Sequence, residues 1–377
     1  MKIDDHGLIV AGGGISGAAI ACRRKDRNEM GKKTVLLTGN LGYIGSVMVP
    51  YLIEQGYEVI GYDVGYYEDC YLVSAPQALK KQIKKDLRDC SAEDLAGVDY
   101  VVHLAGLSND PLGAFNESLT YEINHKATMK LAECAKAAGV KRFAYASSQS
   151  VYGISDVSKA ADEQSEKNPI TAYAKSKWMC ECDLRELCTD DFVITYLRPA
   201  TAYGMSPNLR CDIVFNAFVA YAFTSRLIEI KSDGTPWRPM SHVRDICAAF
   251  AAALEAPAEL VKNEVFNVGT QDNNYTVRQL AEAARGAVPG CELTFTGEHT
   301  DPRSYRVSAE KILTVLKDYY KPQWNIEKGG KELMDYYESI SFDRATFDGY
   351  KCTRLKCLKK RIADGTIDEN LRIRPKN

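Results

Sequence analysis

Short apolar runs alternate with helix-like segments between residue 34 and about residue 200. In order, the runs are TVLLTG, YEVIGYD, a short run near KQIKKDL, DYVVHLAG, RFAYASS and FVITYLRP. Apolar strands that alternate with helices predict a parallel sheet with helices on both faces. Because ligands of such sheets bind beyond the carboxyl ends of the strands, we expect the functional residues to converge there. The predicted fold class is α/β, with a doubly wound parallel sheet.

Three glycines directly follow the first run, with the spacing G-x-x-G-x-x-G. Gly39, Gly42 and Gly45 lie in TVLLTGNLGYIGS, between a predicted strand and a predicted helix. Such a turn lets the backbone approach a pyrophosphate closely. The second run closes with Asp63, and an acid about 20 residues past the glycines suits a ribose hydroxyl and disfavours the additional phosphate of NADP. The sequence therefore predicts a Rossmann-type site for NAD.

A tyrosine and a lysine lie four residues apart in YAKSK. On a helix this spacing puts Tyr173 and Lys177 on one face, so that the ammonium can lower the pKa of the phenol. A tyrosine with a near-neutral pKa is a general base for an alcohol. Ser148, in ASSQSVYG after a predicted strand, is the hydroxyl best placed to hold the same substrate oxygen. We predict Tyr173, Lys177 and Ser148 as the catalytic residues.

Composition and charge argue against several classes of partner. A net charge of −2 over 377 residues gives no general attraction to nucleic acid or to an anionic membrane. No apolar stretch approaches the roughly 20 residues that span a bilayer, and the first apolar run lacks the flanks of a signal peptide. We expect a cytoplasmic protein with no metal site, in which the 12 cysteines are reduced.

The first 32 residues contain a second glycine motif. The segment GLIVAGGGISGAAIA has the spacing G-x-G-x-x-G at Gly12, Gly14 and Gly17. A working unit needs a second strand with an acid, but the next strand is already TVLLTG, which belongs to the other motif. We interpret residues 1–32 as an N-terminal extension of unclear role.

Several motifs occur together in an order that resembles a known family. They are TGNLGYIGS, the acid Asp63, DLRD, HLAG, SSQSVYG, YAKSK, RPATAYG and WRPMSHVRDI. From about residue 33 to about residue 340, the chain resembles the extended short-chain dehydrogenase/reductase family, in its NAD-dependent sugar-nucleotide epimerase/dehydratase branch. The resemblance implies NAD as the cofactor and a nucleotide sugar as the substrate. It also implies a homodimer through helices near 115–138 and 172–188.

The resemblance assigns residues to two groups. Those implied to bind or shape the cofactor site are Gly39, Gly42, Tyr43, Ile44, Gly45, Asp63, Asp86, Leu87, Leu104, Ala105, Gly106, Asn124, Tyr173 and Lys177. Those implied to bind the substrate are Ser108, Ser148, Gln149, Thr201, Arg238 and Arg303. Arg238 matches a family arginine that pairs with the diphosphate, and Arg303 is a second candidate. Arg210 is a third, for which a surface role is equally expected.

After RPATAYG the pattern becomes irregular and is punctuated by prolines. By the resemblance, residues 33–204 form the Rossmann domain, whose sheet is completed by a segment near 264–269. Residues 205–345 form most of a smaller, interleaved substrate-binding lid. Residues 346–377 form a basic tail, in which KCTRLKCLKKRIADG predicts a solvated helix.

The residues after the motif serine bear on the reaction. A 4,6-dehydratase of this branch needs an Asp-Glu pair there, whereas this chain has Gln149 and Ser150. The resemblance therefore favours a 4-epimerase that forms a transient keto-sugar by hydride transfer. A sugar-nucleotide dehydrogenase or reductase is the alternative, a dehydratase is less favoured, and an NAD-binding sensor protein is the non-enzyme alternative. Thr201 stands where hexose 4-epimerases usually have an asparagine, which leaves the sugar and the nucleotide open.

Overall fold

A computed structural model describes residues 32–74, 78–153, 158–297 and 304–374, together with the backbone of two short strands nearer the start of the chain. The second glycine motif, at Gly12, Gly14 and Gly17, lies outside the described residues. Arg303 lies outside them as well.

The strands are short and are distributed along the whole chain. They are β1 (Lys2–Ile3), β2 (Ile9–Val10), β3 (Thr34–Thr38), β4 (Glu58–Asp63), β5 (Lys81–Lys84), β6 (Tyr100–His103), β7 (Arg142–Ala146), β8 (Val193–Pro199), β9 (Thr201–Tyr203), β10 (Leu227–Ile230), β11 (Trp237–His242), β12 (Val265–Val268), β13 (Asn274–Thr276) and β14 (Glu292–Phe295).

Helices follow most of the strands. They are α1 (Gly45–Glu54), α2 (Asp110–Phe115), α3 (Glu117–Thr120), α4 (Ala127–Ala137), α5 (Ala172–Leu184), α6 (Val214–Ser225), α7 (Val243–Glu255), α8 (Ala258–Val261), α9 (Val277–Ala287), α10 (Glu310–Val315), α11 (Ile326–Ser339), α12 (Arg344–Asp348) and α13 (Arg354–Ala363). A π-helical segment, Tyr121–Lys126, leads into α4. Among the described helices, none is long and apolar enough to span a bilayer.

The central sheet has seven parallel strands in the order β12-β8-β7-β6-β3-β4-β5. All five residues of β3 are buried, as expected for a parallel strand covered on both faces. Successive side chains point to opposite faces, and Leu36 packs with Leu131 of α4 while Leu37 packs with Met48 of α1. The structure confirms the predicted fold class, a doubly wound parallel sheet with helices on both sides.

A smaller sheet lies beyond the carboxyl end of β8. Strand β11 pairs in parallel with β9 and antiparallel with β13. Thr201 pairs with Met240 in this sheet, and Arg238 pairs with Tyr275. The smaller sheet therefore brings together two of the predicted substrate residues that are far apart in sequence.

The end of the chain, which we call the C-terminal arm (residues 350–374), packs against the loops that follow β4 and β5. Leu358 and Leu371 of the arm are fully buried against Tyr66. Arg88 donates a hydrogen bond to the Asn370 carbonyl oxygen at 3.0 Å. The expectation of a solvated helix is wrong for this segment, because Arg354, Cys357 and Leu358 form a buried face of α13.

Two cysteines provide a test of how the arm is docked. The Sγ atoms of Cys70 and Cys357 lie 3.4 Å apart. We expect a small thiol oxidant such as diamide to join them, because sulfur atoms already in contact need little backbone movement to form a disulfide. Mass spectrometry of unreduced peptides should detect the linked pair, and a Cys70→Ser variant should lack it. Absence of the linked peptides from the oxidised native protein would contradict this docking of the arm.

Candidate active site

The glycine turn after β3 is tight enough to require glycine at two positions. Gly39 has φ +74°, and a Cβ there would lie 2.9 Å from the Ala105 backbone nitrogen. A Cβ on Gly45 would lie 2.0 Å from the Gly39 carbonyl oxygen. Side chains at these positions would force the turn open, so the glycines let the chain pass from β3 into the start of α1 with its backbone close to any ligand.

Residues at the end of RPATAYG and just after it form hydrogen bonds with the glycine turn. The Tyr43 hydroxyl donates to the Gly204 carbonyl oxygen at 2.7 Å, and the Ser46 and Ser206 hydroxyls are 2.9 Å apart. The Asn208 amide donates to the Leu41 carbonyl oxygen at 2.8 Å. These buried contacts fix the shape of the turn before any ligand binds.

Asp63 lies at the end of β4, beside the turn. Its carboxylate accepts hydrogen bonds from the backbone N–H of Leu41 at 3.2 Å and of Gly65 at 2.7 Å. Burial raises the pKa of Asp63, and the two backbone donors offset part of that effect. The acid is thus held at the edge of the glycine turn, as the sequence predicts for a ribose ligand.

His103 fixes the next strand against the turn. Its ring nitrogens lie 2.6 Å from the Thr38 hydroxyl oxygen and 2.7 Å from the Thr128 hydroxyl oxygen. The Thr38 hydroxyl in turn accepts from the Ala105 backbone nitrogen at 3.2 Å. Burial lowers the pKa of His103 to about 3, so the ring stays neutral and acts as a structural hydrogen-bonding group.

A cavity of about 540 Å³ opens beyond the carboxyl ends of the central strands. Most residues assigned from the sequence line it: Gly39, Gly42, Tyr43, Ile44, Gly45, Asp63, Asp86, Leu87, Leu104, Ala105, Gly106, Ser108, Ser148, Tyr173, Lys177, Thr201 and Arg238. The motifs that are separated along the chain therefore converge on one space.

Two assigned residues are described but do not line the cavity. Asn124 is buried in the π-helical segment, where it accepts from the Leu107 backbone nitrogen at 2.7 Å and donates to the Leu107 carbonyl oxygen at 3.1 Å. Asn124 thereby fixes the backbone of Leu107, which lines the cavity. Gln149 is also buried, and its amide donates to the Val268 carbonyl oxygen at 3.3 Å. The structure places Gln149 behind Ser148, so its assignment to substrate binding has no support in this geometry.

The three predicted catalytic residues come together at one end of the cavity. Tyr173 lies in the first turn of α5, where Thr171 caps the helix by accepting from the Ala174 backbone nitrogen at 3.2 Å. Ser148 lies after β7, and its hydroxyl is close enough to Tyr173 to lower the pKa of the phenol. The Lys177 ammonium lies 5.9 Å from the Tyr173 ring centroid and donates to the Ala146 carbonyl oxygen at 2.7 Å.

The pKa of Tyr173 differs from the sequence expectation. Burial raises the pKa of Tyr173 to about 12, and the nearby Ser148 hydroxyl offsets part of this rise. Burial also lowers the pKa of Lys177 to about 8. The expected near-neutral pKa of Tyr173 is wrong here, because the Lys177 ammonium donates to a backbone carbonyl and burial dominates around the phenol.

Two cavity arginines were missed or undervalued by the sequence analysis. Arg210 is 8% exposed, and its guanidinium donates to Asp212 at 2.8 Å and to the Ser108 hydroxyl at 3.3 Å. Arg354, from the C-terminal arm, is 2% exposed and also lines the cavity. A surface role is therefore wrong for Arg210. The available signal for Arg354 was the i, i+3, i+4 spacing of Arg354, Cys357 and Leu358 in the basic segment.

Comparison with known proteins assigns this arrangement to a family. The model of the NAD dependent epimerase/dehydratase family matches residues 35–269, which include the glycine turn, Asp63 and the three predicted catalytic residues. The chain belongs to this family. The assignment confirms the resemblance inferred from the motifs, and it makes the protein an NAD-dependent enzyme.

Three relatives illustrate the range of the family. UDP-glucose 4-epimerase of Bacillus subtilis is 26% identical over 353 residues, covering 84% of this chain and 98% of the relative. The structure of MoeE5 in complex with UDP-glucuronic acid and NAD has a TM-score of 0.69 and 25% identity, covering 82% of this chain and 99% of that one. The structure of DesIV, a dTDP-glucose 4,6-dehydratase from Streptomyces venezuelae, was solved with NAD. It has a TM-score of 0.68 and 25% identity, and the match covers 83% of this chain and 99% of that one.

The residues of the cavity fit NAD. The glycine turn leaves the space that a Cβ would fill, so the backbone can approach a diphosphate. Asp63 is placed for a ribose hydroxyl, and Lys177 is a buried ammonium at the opposite, catalytic part of the cavity. When bound, NAD accepts a hydride from a substrate carbon and can return it, and its oxidised nicotinamide ring carries a positive charge.

Proposed function

We propose that the protein is a 4-epimerase of a nucleotide-linked sugar, which works through a transient keto-sugar. Family relatives include both a UDP-glucose 4-epimerase and a dTDP-glucose 4,6-dehydratase, so family membership alone does not choose between epimerisation and dehydration. The choice depends on the side chains around Ser148 and Tyr173.

The observation that carries the proposal is the chemistry of the two residues after Ser148. Gln149 is an amide that faces Val268, and the Ser150 hydroxyl accepts a hydrogen bond from the Ser148 hydroxyl at 3.1 Å. Neither side chain is a carboxylic acid, so neither can supply the acid and base that eliminate water from a keto-sugar. Epimerisation needs only that the keto-sugar turn over and take the hydride back on its other face.

In the proposed reaction, Tyr173 removes the proton from the sugar 4-hydroxyl as the hydride leaves the same carbon. Ser148 donates a hydrogen bond to the reacting oxygen and stabilises the charge that develops on it. Lys177 holds the nicotinamide ribose through hydrogen bonds from its ammonium. Arg238 lines the cavity from β11, and its planar guanidinium can donate two parallel hydrogen bonds to the diphosphate of the substrate.

Incubation with a panel of UDP-sugars and dTDP-sugars tests the proposed reaction. We expect one substrate to be converted to an equilibrium mixture of its C4 epimers, with unchanged mass and no accumulation of NADH, because the hydride is returned in each turnover. Liquid chromatography with mass spectrometry, together with absorbance of NADH, measures both. Loss of one water from the sugar would identify a dehydratase, steady accumulation of NADH a dehydrogenase, and bound NAD without turnover of any sugar a sensor protein.

The proposal extends to the assembly of the protein. Residues 205–345 would form most of the lid over the sugar, and two copies would pair through the helices near 115–138 and 172–188. Phe115 and Met179 are 37% and 39% exposed on these helices. Apolar side chains on adjacent helices suit a helix bundle between two copies. A cytoplasmic location stays a prediction.

A further inference from the structure

Arg354 enters the cavity from outside the family-matched part of the chain. The family match ends at residue 269, whereas Arg354 begins α13 in the C-terminal arm. The residue is 2% exposed and lines the same cavity as Gly42, Gly45 and Asp63. The family motifs therefore supply part of the lining of the cofactor cavity, and the C-terminal arm adds a cation to it.

A short chain of contacts links Arg354 to the glycine turn. One guanidinium nitrogen of Arg354, Nη2, donates to the Asn208 carbonyl oxygen at 2.8 Å and to the Asn208 side-chain oxygen at 2.6 Å. The Asn208 amide donates to the Leu41 carbonyl oxygen in the turn at 2.8 Å. The guanidinium also lies over the Tyr67 ring, 4.7 Å from its centroid. These contacts fix Arg354 beside the part of the turn that would face a diphosphate.

Among the described residues the Arg354 guanidinium has no ion pair of its own, although the Asp212 carboxylate accepts a hydrogen bond from the Arg354 backbone N–H at 3.2 Å. Its guanidinium hydrogen bonds go to uncharged oxygens, and among the described residues no carboxylate lies within ion-pair distance of it. The neighbouring Asp212 is already paired with Arg210. Burial and the proximity of Arg210 lower the pKa of Arg354. A buried cation of this kind gains most from an anionic ligand.

The position of Arg354 points to the cofactor rather than the substrate. Its guanidinium lies over Tyr67, in the loop that follows Asp63, and is linked through Asn208 to Leu41 of the glycine turn. Arg238 and Thr201, by contrast, lie on the smaller sheet at the substrate end. We propose that Arg354 binds the diphosphate of NAD, so that the C-terminal arm retains the cofactor in the cavity. This inference rests on NAD as the cofactor and does not depend on which sugar reaction the enzyme catalyses.

The test compares ligands that differ in their phosphates. In protein freed of nucleotide, Arg354→Gln should weaken the binding of NAD and of ADP-ribose by about tenfold or more, since a charge-assisted hydrogen bond is lost. Binding of adenosine, which has no phosphate, should change by less than about threefold, because no such bond is involved. Isothermal titration gives the affinities for NAD and ADP-ribose, and competition against ADP-ribose gives that for adenosine. UDP should bind as it does to the wild type.

A matched variant controls for loss of charge in the arm. Lys360 also belongs to α13, but it pairs with Asp364 at the surface and does not line the cavity. Lys360→Gln should leave the affinity for NAD unchanged. The proposal would be overturned if Arg354→Gln bound NAD as the wild type does, if adenosine and ADP-ribose lost affinity equally, or if only UDP binding suffered. Because all readouts are affinities, failure to find a sugar substrate would leave this test intact.

Discussion

Tyr173→Phe is expected to lower kcat for sugar interconversion by about 1000-fold, because it removes the group that takes and returns the substrate proton. The ring of Tyr173 is retained, and Ser148 and Lys177 keep their positions around it. NAD should therefore remain bound, which the ratio of nucleotide to protein after purification measures. Turnover is followed by chromatography of the two epimers at saturating substrate.

The pH dependence provides a second readout of the same role. Only the phenolate accepts a proton, and burial raises the pKa of Tyr173 to about 12. Below that value, the phenolate fraction rises about tenfold for each unit of pH. In the wild type, kcat/KM should accordingly rise from about pH 6 to about pH 8 and level off above it, where Lys177, with a pKa of about 8, loses its proton; the residual rate of Tyr173→Phe should not rise.

A tyrosine outside the cavity is the control for this substitution. Tyr221 is 39% exposed on α6, and its ring packs against Phe347 with 4.6 Å between centroids. Tyr221→Phe keeps that ring contact and should preserve kcat. If Tyr173→Phe retained activity within about tenfold of the wild type, a proton-transfer role for Tyr173 would be untenable.

The sequence predicts the sheet and the glycine turn well because both depend on local patterns. Each central strand except the polar edge strand β5 (Lys81–Lys84) is a compact, mainly apolar run. The turn needs glycine for steric reasons that act within a few residues of Gly39 and Gly45. The position of Asp63 can be predicted as well, because Asp63 ends the apolar run that forms β4. The position of these residues at one edge then follows from the parallel topology alone.

The contribution of the C-terminal arm could not be inferred in the same way. Arg354 contacts Asn208, 146 positions earlier in the chain, and no local pattern encodes a contact of that separation. The basic composition of the arm favoured a solvated helix, whereas tertiary packing buries one of its faces. The pKa of Tyr173 was misjudged for a related reason, since helical spacing places Lys177 near the phenol but does not reveal that its ammonium donates to Ala146.

A buried ion pair behind the serine loop accounts for the largest expected effect on stability. Arg198, in the RPATAYG motif, donates to Glu181 of α5 through two hydrogen bonds of 2.8 and 2.6 Å. The side chains of these residues are only 1% and 0% exposed. Arg198→Met should lower the free energy of unfolding by about 3–5 kcal/mol, because it leaves a buried carboxylate without its cation. Urea denaturation followed by circular dichroism measures the loss.

Two controls show whether the loss of stability in Arg198→Met comes from an unpaired buried charge. They are a variant of an exposed ion pair and a double variant that removes both charges. Lys262 pairs with Asp190 at the surface, with side chains 39% and 92% exposed, so Lys262→Met should lower the free energy of unfolding far less than Arg198→Met does. Combining Arg198→Met with Glu181→Leu should recover much of the stability, since no unpaired charge then remains. Glu181 also accepts a hydrogen bond from Ser147, which lines the cavity beside Ser148. A cost for Arg198→Met no larger than that of Lys262→Met would mean that Glu181 is not held as a buried anion, and the ion pair would then not explain how the serine loop is fixed.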